Sequence, residues 1–354
     1  MPPCSKPPPR GIDPLMIFAS DNWAGATDAV VEALDRANGG YAPGYGDDPL
    51  TLQVTRTFCE IFEREVEVFF VASGTAANTI SMTALARPSG LVFCTAQAHM
   101  HTDEFNAPEF FTGMKLMPID TNDGLMAPED LEAALARLPK GHTGPPVVLT
   151  LTNASEYGTV YSADDVAALS AVAKANGMAV HVDGARFANA LAATGASPAE
   201  LTWRAGVDIM SFGGTKNGCW AAEAVVVFEP GSLPHLSNVR QRAGHGLSKQ
   251  RFIAAQFEGY FANGGWLKTA AHANTMAARL TAGILRSNAA RLNWQGTANE
   301  LFPVISSAKA AELRAAGAVF HSWETLDDGT ERIRLVTSFL TTAEDVDRFL
   351  ETLG

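Results

Sequence analysis

From about residue 50 onward, the hydrophobic positions of the chain switch repeatedly between two periods. Residues 52–65 space their apolar side chains at helical intervals, and residues 66–72 form an apolar run of strand length. Residues 76–86 return to the helical period. Short apolar runs at 91–94, 114–119 and 147–151 read as strands covered on both faces, the pattern of a parallel sheet. Met126-Ala127-Pro128-Glu129-Asp130 opens a helix running to residue 138, and Ser162-Ala163-Asp164-Asp165 caps another ending at Gly177. Runs at 178–183, 208–212 and 223–228 complete the strand set. Repeated strand–helix units of this length predict an α/β protein with a doubly wound, mostly parallel sheet.

After Gly231 the texture changes. Residues 247–260 and 266–288 predict long helices, and residues 318–325 and 332–339 predict strands. Residues 341–353 predict a last helix, with Thr341 and Glu344 at the spacing of a capping box. Strand, strand and helix without a crossover predict a smaller C-terminal α+β domain. Prolines at 2, 3, 7, 8, 9 and 14 make residues 1–14 an extended or disordered arm.

The net charge of −12 makes nucleic acid and anionic membrane poor partners, so an anionic substrate must be captured by locally placed arginines. The four cysteines are scattered and form no CxxC pair, which points to a reducing compartment. Cys219, close to Lys216, reads as a small buried filler. No run reaches the roughly 20 apolar residues of a membrane span, and residues 1–14 lack the apolar stretch of a signal peptide. The expected location is the cytoplasm.

The chemistry concentrates in two segments. Ser211-Phe212-Gly213-Gly214-Thr215-Lys216-Asn217-Gly218 holds a lysine among glycines, which leaves its amine open to an aldehyde. One strand–helix interval upstream, His181-Val182-Asp183-Gly184-Ala185-Arg186 ends an apolar strand on a carboxylate, where doubly wound sheets bind ligands. A Schiff-base lysine and a carboxylate for a protonated ring nitrogen are what pyridoxal 5'-phosphate (PLP) requires. His181 itself reads as a packed strand residue.

Three weaker features gain meaning from that pair. Ser73-Gly74-Thr75 sits where a strand turns into a helix, and helix N-termini bind phosphate, although any tight turn of this kind looks similar. Ala98-His99-Met100-His101-Thr102-Asp103-Glu104 is a metal site, a histidine stacking on an aromatic cofactor, or a polar loop; on a strand His99 and His101 would point apart, which disfavours a metal. Arg332-Ile333-Arg334-Leu335 offers a guanidinium fork for a carboxylate, or a solvated strand face. There is no Walker loop and no GxGxxG turn.

The order of these features resembles the threonine aldolase / β-eliminating lyase family of PLP enzymes, with the aspartate-aminotransferase-like type I fold. Ser20-Asp21-Asn22, Tyr45-Gly46-Asp47-Asp48-Pro49, Ser73-Gly74-Thr75, Ala98-His99, the 181–186 segment, Lys216 and Arg334-Leu335-Val336-Thr337 carry the resemblance. It implies an N-terminal segment, 15–48, packing with the small domain and a dimer interface. A large PLP-binding domain would span 49–245, and connecting helices with the small domain would span 246–354.

The same resemblance implies roles. Lys216 would hold the cofactor covalently, Asp183 its ring nitrogen, Gly74 and Thr75 its phosphate, and His99 would stack on the ring. Arg186 and Arg334, with Ser20, would position the substrate carboxylate and the phenolate side of the ring. Tyr45 would reach in from a neighbouring subunit of a homodimer or homotetramer with shared active sites. Two departures stand out. Asn153-Ala154-Ser155-Glu156-Tyr157-Gly158 lacks the histidine that contacts the β-hydroxyl in many relatives, and Arg240-Gln241-Arg242 lacks a phosphate-binding lysine, for which Arg242 is the substitute.

The expected activity is cleavage of L-β-hydroxy-α-amino acids (L-phenylserine, L-threonine, L-allo-threonine) to glycine and an aldehyde. His99 is the first candidate for the base and Glu156 the second, also as a substrate-binding residue. Phe105, Phe110 and Phe111 beside His99 predict a preference for an aromatic substituent at Cβ. β-Elimination, racemisation and transamination on the same scaffold remain open, as, more distantly, do a binding module and a metal enzyme.

Overall fold

Apolar runs that do not alternate cannot leave one face wet, and here they form the middle of a seven-stranded sheet. A computed structural model of the chain describes residues 15–354; the anticipated arm at 1–14 and Cys4 lie outside them. The strands are β1 (Glu67–Val71), β2 (Leu91–Thr95), β3 (Lys115–Ile119), β4 (Pro146–Thr152), β5 (Ala179–Gly184), β6 (Ile209–Gly213) and β7 (Glu223–Val227). Their order across the sheet is β1-β7-β6-β5-β4-β2-β3, and β7 alone runs against its neighbours.

The parallel strands bring their carboxyl ends to one edge. Because β7 runs the other way, its first residue, Glu223, arrives at that edge too, opposite Val71 and Gly213. The helix Gly74–Leu85 starts immediately after β1, where Ser73 Oγ accepts the Ala76 N–H. It buries Ala77, Ile80 and Ala84 against Ile209, Val225 and Val227. At the helix Ala163–Ala175, Ser162 and Asp165 form the reciprocal box their spacing predicts.

A second core gathers Met16 and Phe18 with Leu280, Ile305, Ile333 and Phe349. Its sheet centres on the strand Thr330–Val336, flanked by Glu300–Leu301, Pro303–Ser306 and His321–Thr325, with Ala290–Leu292 beyond. Ile333 and Leu335 point into this core, whereas Arg332 and Arg334 point away and lie over Trp294 and Trp323. Met16–Ile17 pairs in parallel with Ala318–Val319, so the start of the described chain belongs to this core.

Several expectations require correction. The strand expected at 318–325 is two strands with different partners, broken at Phe320. The last helix is capped by Thr342 and Asp345, not Thr341 and Glu344, because Thr341 closes the preceding turn by accepting the Ser338 N–H. The helix expected from 247 begins only at Arg251. His99 and His101 lie on a one-turn helix, His99–Thr102, not on a strand; two residues apart on a helix they still diverge by roughly 200°. The helix Asp28–Ala37 was not anticipated; it packs on Arg251–Phe261 so closely that a Cβ at Gly259 would lie 2.4 Å from the Ala29 carbonyl oxygen. Among the described residues no helix is long and apolar enough to cross a membrane.

Candidate active site

Lys216 sits on a 3-10 turn, Thr215–Asn217, that follows β6. Its glycine neighbours serve packing more than access. A Cβ at Gly214 would lie 2.8 Å from the Ala222 carbonyl oxygen and 2.9 Å from Cys219 Sγ, and Gly218 has φ +119°. Cys219 is buried, and burial holds its thiol well above the ordinary range.

Asp183 ends β5 with 4% of its surface exposed. Its Oδ1 accepts the Ala185 N–H (3.0 Å) and its Oδ2 accepts Asn78 Nδ2 (2.7 Å). Asn78 also donates to Glu104 Oε1 (2.8 Å), which lies 2.8 Å from His99 Nδ1. A continuous polar chain, Asp183–Asn78–Glu104–His99, therefore runs under the cavity floor. The bond to Glu104 is the main cause holding His99 above its ordinary pKa. His181, by contrast, is fully buried between the Thr150 and Ser211 hydroxyls, and burial lowers it to about 4. It is a packed strand residue.

Two more carboxyls reach the same edge. Glu156 Oε1 accepts the His99 backbone N–H (2.7 Å) and the Thr152 hydroxyl (3.0 Å), while Oε2 is buried without a partner among the described residues. Burial first, then the Asp183 charge, pushes its pKa up to about 7. Glu223 accepts the Thr215 N–H (3.4 Å), and burial pushes it up to about 7 as well, against the opposing pull of Thr215 and Lys216.

The facing wall joins Arg186, which follows β5, to residues that flank the second core. Arg186 Nε and Nη2 donate to the two oxygens of Asp21 (2.7 and 3.0 Å), and its Nη1 lies 2.9 Å from Glu300 Oε2. Burial opposes the charge on Arg186, but Asp21 and Glu300 outweigh it and hold the guanidinium firmly protonated. Arg334 Nε and Nη2 both reach Glu300 Oε1 (3.0 and 2.9 Å). Charges thus alternate along Asp21–Arg186–Glu300–Arg334. The walls meet at Gly158 (φ +73°): its carbonyl accepts the N–H groups of Thr297 and Ala298 (2.9 Å each), and a Cβ there would lie 2.3 Å from the Glu300 carbonyl oxygen.

These residues enclose two adjoining cavities that share Asn22, His99 and Lys216. One, of about 230 Å³, is lined by Ser73, Gly74, Thr75, Asp183 and Glu223. The other, of about 180 Å³, is lined by Ser20, Glu156, Arg186, Glu300, Trp323 and Arg334. Tyr45 and Arg242 line neither. Tyr45 is exposed in the left-handed region on a turn held to the Ser248 carbonyl, and Arg242 borders a separate cavity with Phe111. Phe105 and Phe110 are also exposed, so none of the three phenylalanines forms the expected wall in its own chain. The Asn106 turn and the helix Ala107–Thr112 direct them outward. The aromatic side chain that does line the cavity is Trp323. Among the described residues no group of three His, Cys, Asp or Glu side chains could hold a metal.

The profile of the beta-eliminating lyase family matches residues 18–305. The chain belongs to this family. It is 40% identical over 307 residues to the low specificity L-threonine aldolase of Pseudomonas aeruginosa, spanning 86% of this chain and 89% of that protein. It is 38% identical over 307 residues, with the same coverage, to the low specificity L-threonine aldolase of another Pseudomonas strain. Among solved structures, the Leishmania major threonine aldolase matches with a TM-score of 0.90 at 30% identity, over 95% of this chain and 98% of that one. A serine palmitoyltransferase of Sphingomonas wittichii shares the fold, with a TM-score of 0.71 at 16% identity over 95% of this chain and 86% of that one.

As a member of this lyase family the protein is a PLP-dependent enzyme of the type I fold. Its residues fit the cofactor: an amine and a buried carboxylate face one cavity, and a helix N-terminus with no Cβ at Gly74 opens on it. The polar residues sequence reasoning did not assign are Asp21, Asn78, Glu104, Glu223 and Glu300. Asp21 and Glu104 could have been suspected, since each lies within a segment already singled out, and Asn78 lies one turn past the Ser73-Gly74-Thr75 segment. Glu223 and Glu300 carry no local signal; only the sheet register and the second core bring them to the site.

Proposed function

We propose that the enzyme cleaves the Cα–Cβ bond of L-β-hydroxy-α-amino acids, L-threonine, L-allo-threonine and L-phenylserine among them, to glycine and an aldehyde. The observation that carries this reading is a single cavity system with Lys216 and Asp183 on one wall and Arg334 on the other. The similarity to proteins named L-threonine aldolases supports the same reaction. Lys216 holds the cofactor and Asp183 its ring nitrogen; the first-turn N–H groups at Gly74 and Thr75 meet the phosphate, and His99 covers the ring. When bound, the cofactor supplies the electron-withdrawing ring that delocalises the electron pair left on Cα.

Ser20 and Arg334 orient the substrate carboxylate. Arg186, engaged by Asp21 and Glu300, contributes positive potential behind them. Trp323 supports a preference for aromatic Cβ substituents in place of the three phenylalanines. Tyr45 and Arg242 act on a neighbouring subunit's site in a homodimer or homotetramer, a reading supported by the exposure of Tyr41, Tyr45, Phe110 and Trp220. A cytoplasmic location is supported by the free thiols of Cys59, Cys94 and Cys219.

Incubation with L-threonine and with L-threo-phenylserine is expected to yield glycine with acetaldehyde and benzaldehyde, respectively. Formation of 2-oxo acids and ammonia instead would identify β-elimination and overturn the aldolase reading. Borohydride reduction of the PLP-loaded protein is expected to fix the cofactor on Lys216; a label on Lys249 or Lys268 would overturn that assignment.

A further inference from the structure

Two groups lining the substrate-side cavity could take the β-hydroxyl proton, His99 and Glu156. His99 is the less direct candidate: its Nδ1 is taken by the buried carboxyl of Glu104 at 2.8 Å, and in the proposed arrangement its ring covers the cofactor. Its main chain, moreover, serves Glu156.

Glu156 has the complementary properties. It lines the substrate-side cavity with Arg186, Lys216 and Arg334. Oε1 is fixed by the His99 N–H at 2.7 Å and the Thr152 hydroxyl at 3.0 Å, while Oε2 makes no hydrogen bond among the described residues. A buried carboxyl oxygen without a partner is costly to leave so, and such groups cluster where chemistry needs them. The loop is also rigid: Ser155 Oγ and Thr159 Oγ1 bond across it at 2.5 Å, and the Gly158 carbonyl is held by two N–H groups of the opposite wall. Burial and the neighbouring Asp183 bring the carboxyl to about 7, which suits proton exchange near neutrality.

We infer that Glu156 is the catalytic base for the β-hydroxyl, its free oxygen taking the hydroxyl proton as the Cα–Cβ bond breaks. The O–H pair becomes the second bond of the aldehyde carbonyl, the Cα–Cβ pair stays on Cα and takes up a proton from solvent to give glycine, and the hydroxyl proton rests on Glu156 until it returns to solvent. In the synthetic direction the same carboxyl, protonated, donates to the aldehyde oxygen. This inference rests on the aldolase reading.

The test uses the PLP-loaded holoenzyme and Glu156→Gln. Glutamine keeps an acceptor for His99 N–H and Thr152 but cannot take a proton. Two rates are measured: aldehyde release from L-threonine and L-threo-phenylserine, and exchange of the glycine α-proton in D2O followed by NMR. The exchange requires bound cofactor and glycine but no base at the hydroxyl. Expected is a loss of aldehyde release of about 10²-fold or more, with glycine exchange within about threefold of wild type and an unchanged cofactor absorption spectrum. Equal loss of both rates would mean that Glu156 only positions His99, and would overturn the inference. Aldehyde release within about tenfold of wild type would also overturn it and return the duty to His99 or water. If the wild-type enzyme exchanges glycine but releases no aldehyde from any β-hydroxy amino acid, the aldolase reading fails first and the base falls with it.

Discussion

The two walls of the active site are built on different principles. The wall at the sheet edge carries Asp183, Asn78, Glu104 and His99 in one hydrogen-bonded chain, placed by the end of β5, the helix Gly74–Leu85 and the segment around the helix His99–Thr102. The opposite wall carries Asp21, Arg186, Glu300 and Arg334, drawn from four distant segments and held by alternating charge. The first wall is preorganised by secondary structure, so removing one group there should damage chemistry and spare the fold. The second is preorganised by ion pairs, so removing one group there should damage the fold and the grip on substrate together. A buried ion network makes its members interdependent: each is costly alone and tolerable only with its partners.

The strongest test of this contrast is Asp183→Ala. Aldehyde release is expected to fall by more than the ~10²–10⁴-fold typical of one acid–base group, while the melting temperature of the cofactor-free protein shifts little. A variant within about tenfold of wild type would mean that Asp183 only receives the Ala185 N–H and Asn78. Glu300→Gln should behave in the opposite way. It leaves Arg186 and Arg334 short of a counter-charge and is expected to cost about 3 kcal/mol in urea unfolding, with the Michaelis constant for amino acids changed more than the turnover number. An unaltered unfolding midpoint would break the contrast.

The sheet edge was legible because its signals are local. Asp183 at the end of an apolar run and Lys216 at the next βα turn lie where a parallel sheet must present them, and the periodicity gives the sheet. The facing wall was legible in part: the arginines at 332 and 334 were a local candidate fork, and the resemblance named Arg334 and Arg186, but neither gave the carboxylates that occupy them. Glu300 is a lone glutamate that opens a two-residue strand, and nothing nearby in the chain distinguishes it. Glu223 was missed for a different reason: a strand's first residue reaches the catalytic edge only if that strand is antiparallel, and an apolar run does not reveal its direction. The expected aromatic wall does not form in the chain's own cavity because neighbours of His99 in sequence are not its neighbours in space: the turn at Asn106 carries the phenylalanines outward.

Glu223 gives a third test, through pH. Its folded-state pKa of about 7 lies above the ordinary 4.5, so between these values the folded protein holds a proton that the unfolded chain has released. Stability from this group is present at low pH and is lost as pH rises from about 4.5 to about 7. Glu223→Gln should remove that dependence, gaining up to about 3 kcal/mol relative to wild type between pH 5 and 7.5 in the cofactor-free protein. A constant difference between the two proteins across that range would show that the carboxyl titrates normally. The smallest effect is expected at Trp323, which is partly exposed at the rim. Trp323→Ala should lower the kcat/KM ratio of L-threo-phenylserine to L-threonine by about three- to tenfold, with little change for threonine. An unchanged ratio would locate aromatic selectivity outside this chain's own cavity.

The contact at Gly158 bears on how the enzyme can move. Its carbonyl is pinned by the N–H groups of Thr297 and Ala298, and its lack of a Cβ lets its backbone approach the Glu300 carbonyl. At this point the loop of Glu156 and the strand of Glu300 are joined through main-chain atoms in contact. If the small sheet tilts to admit a substrate, the Glu156 loop must travel with it.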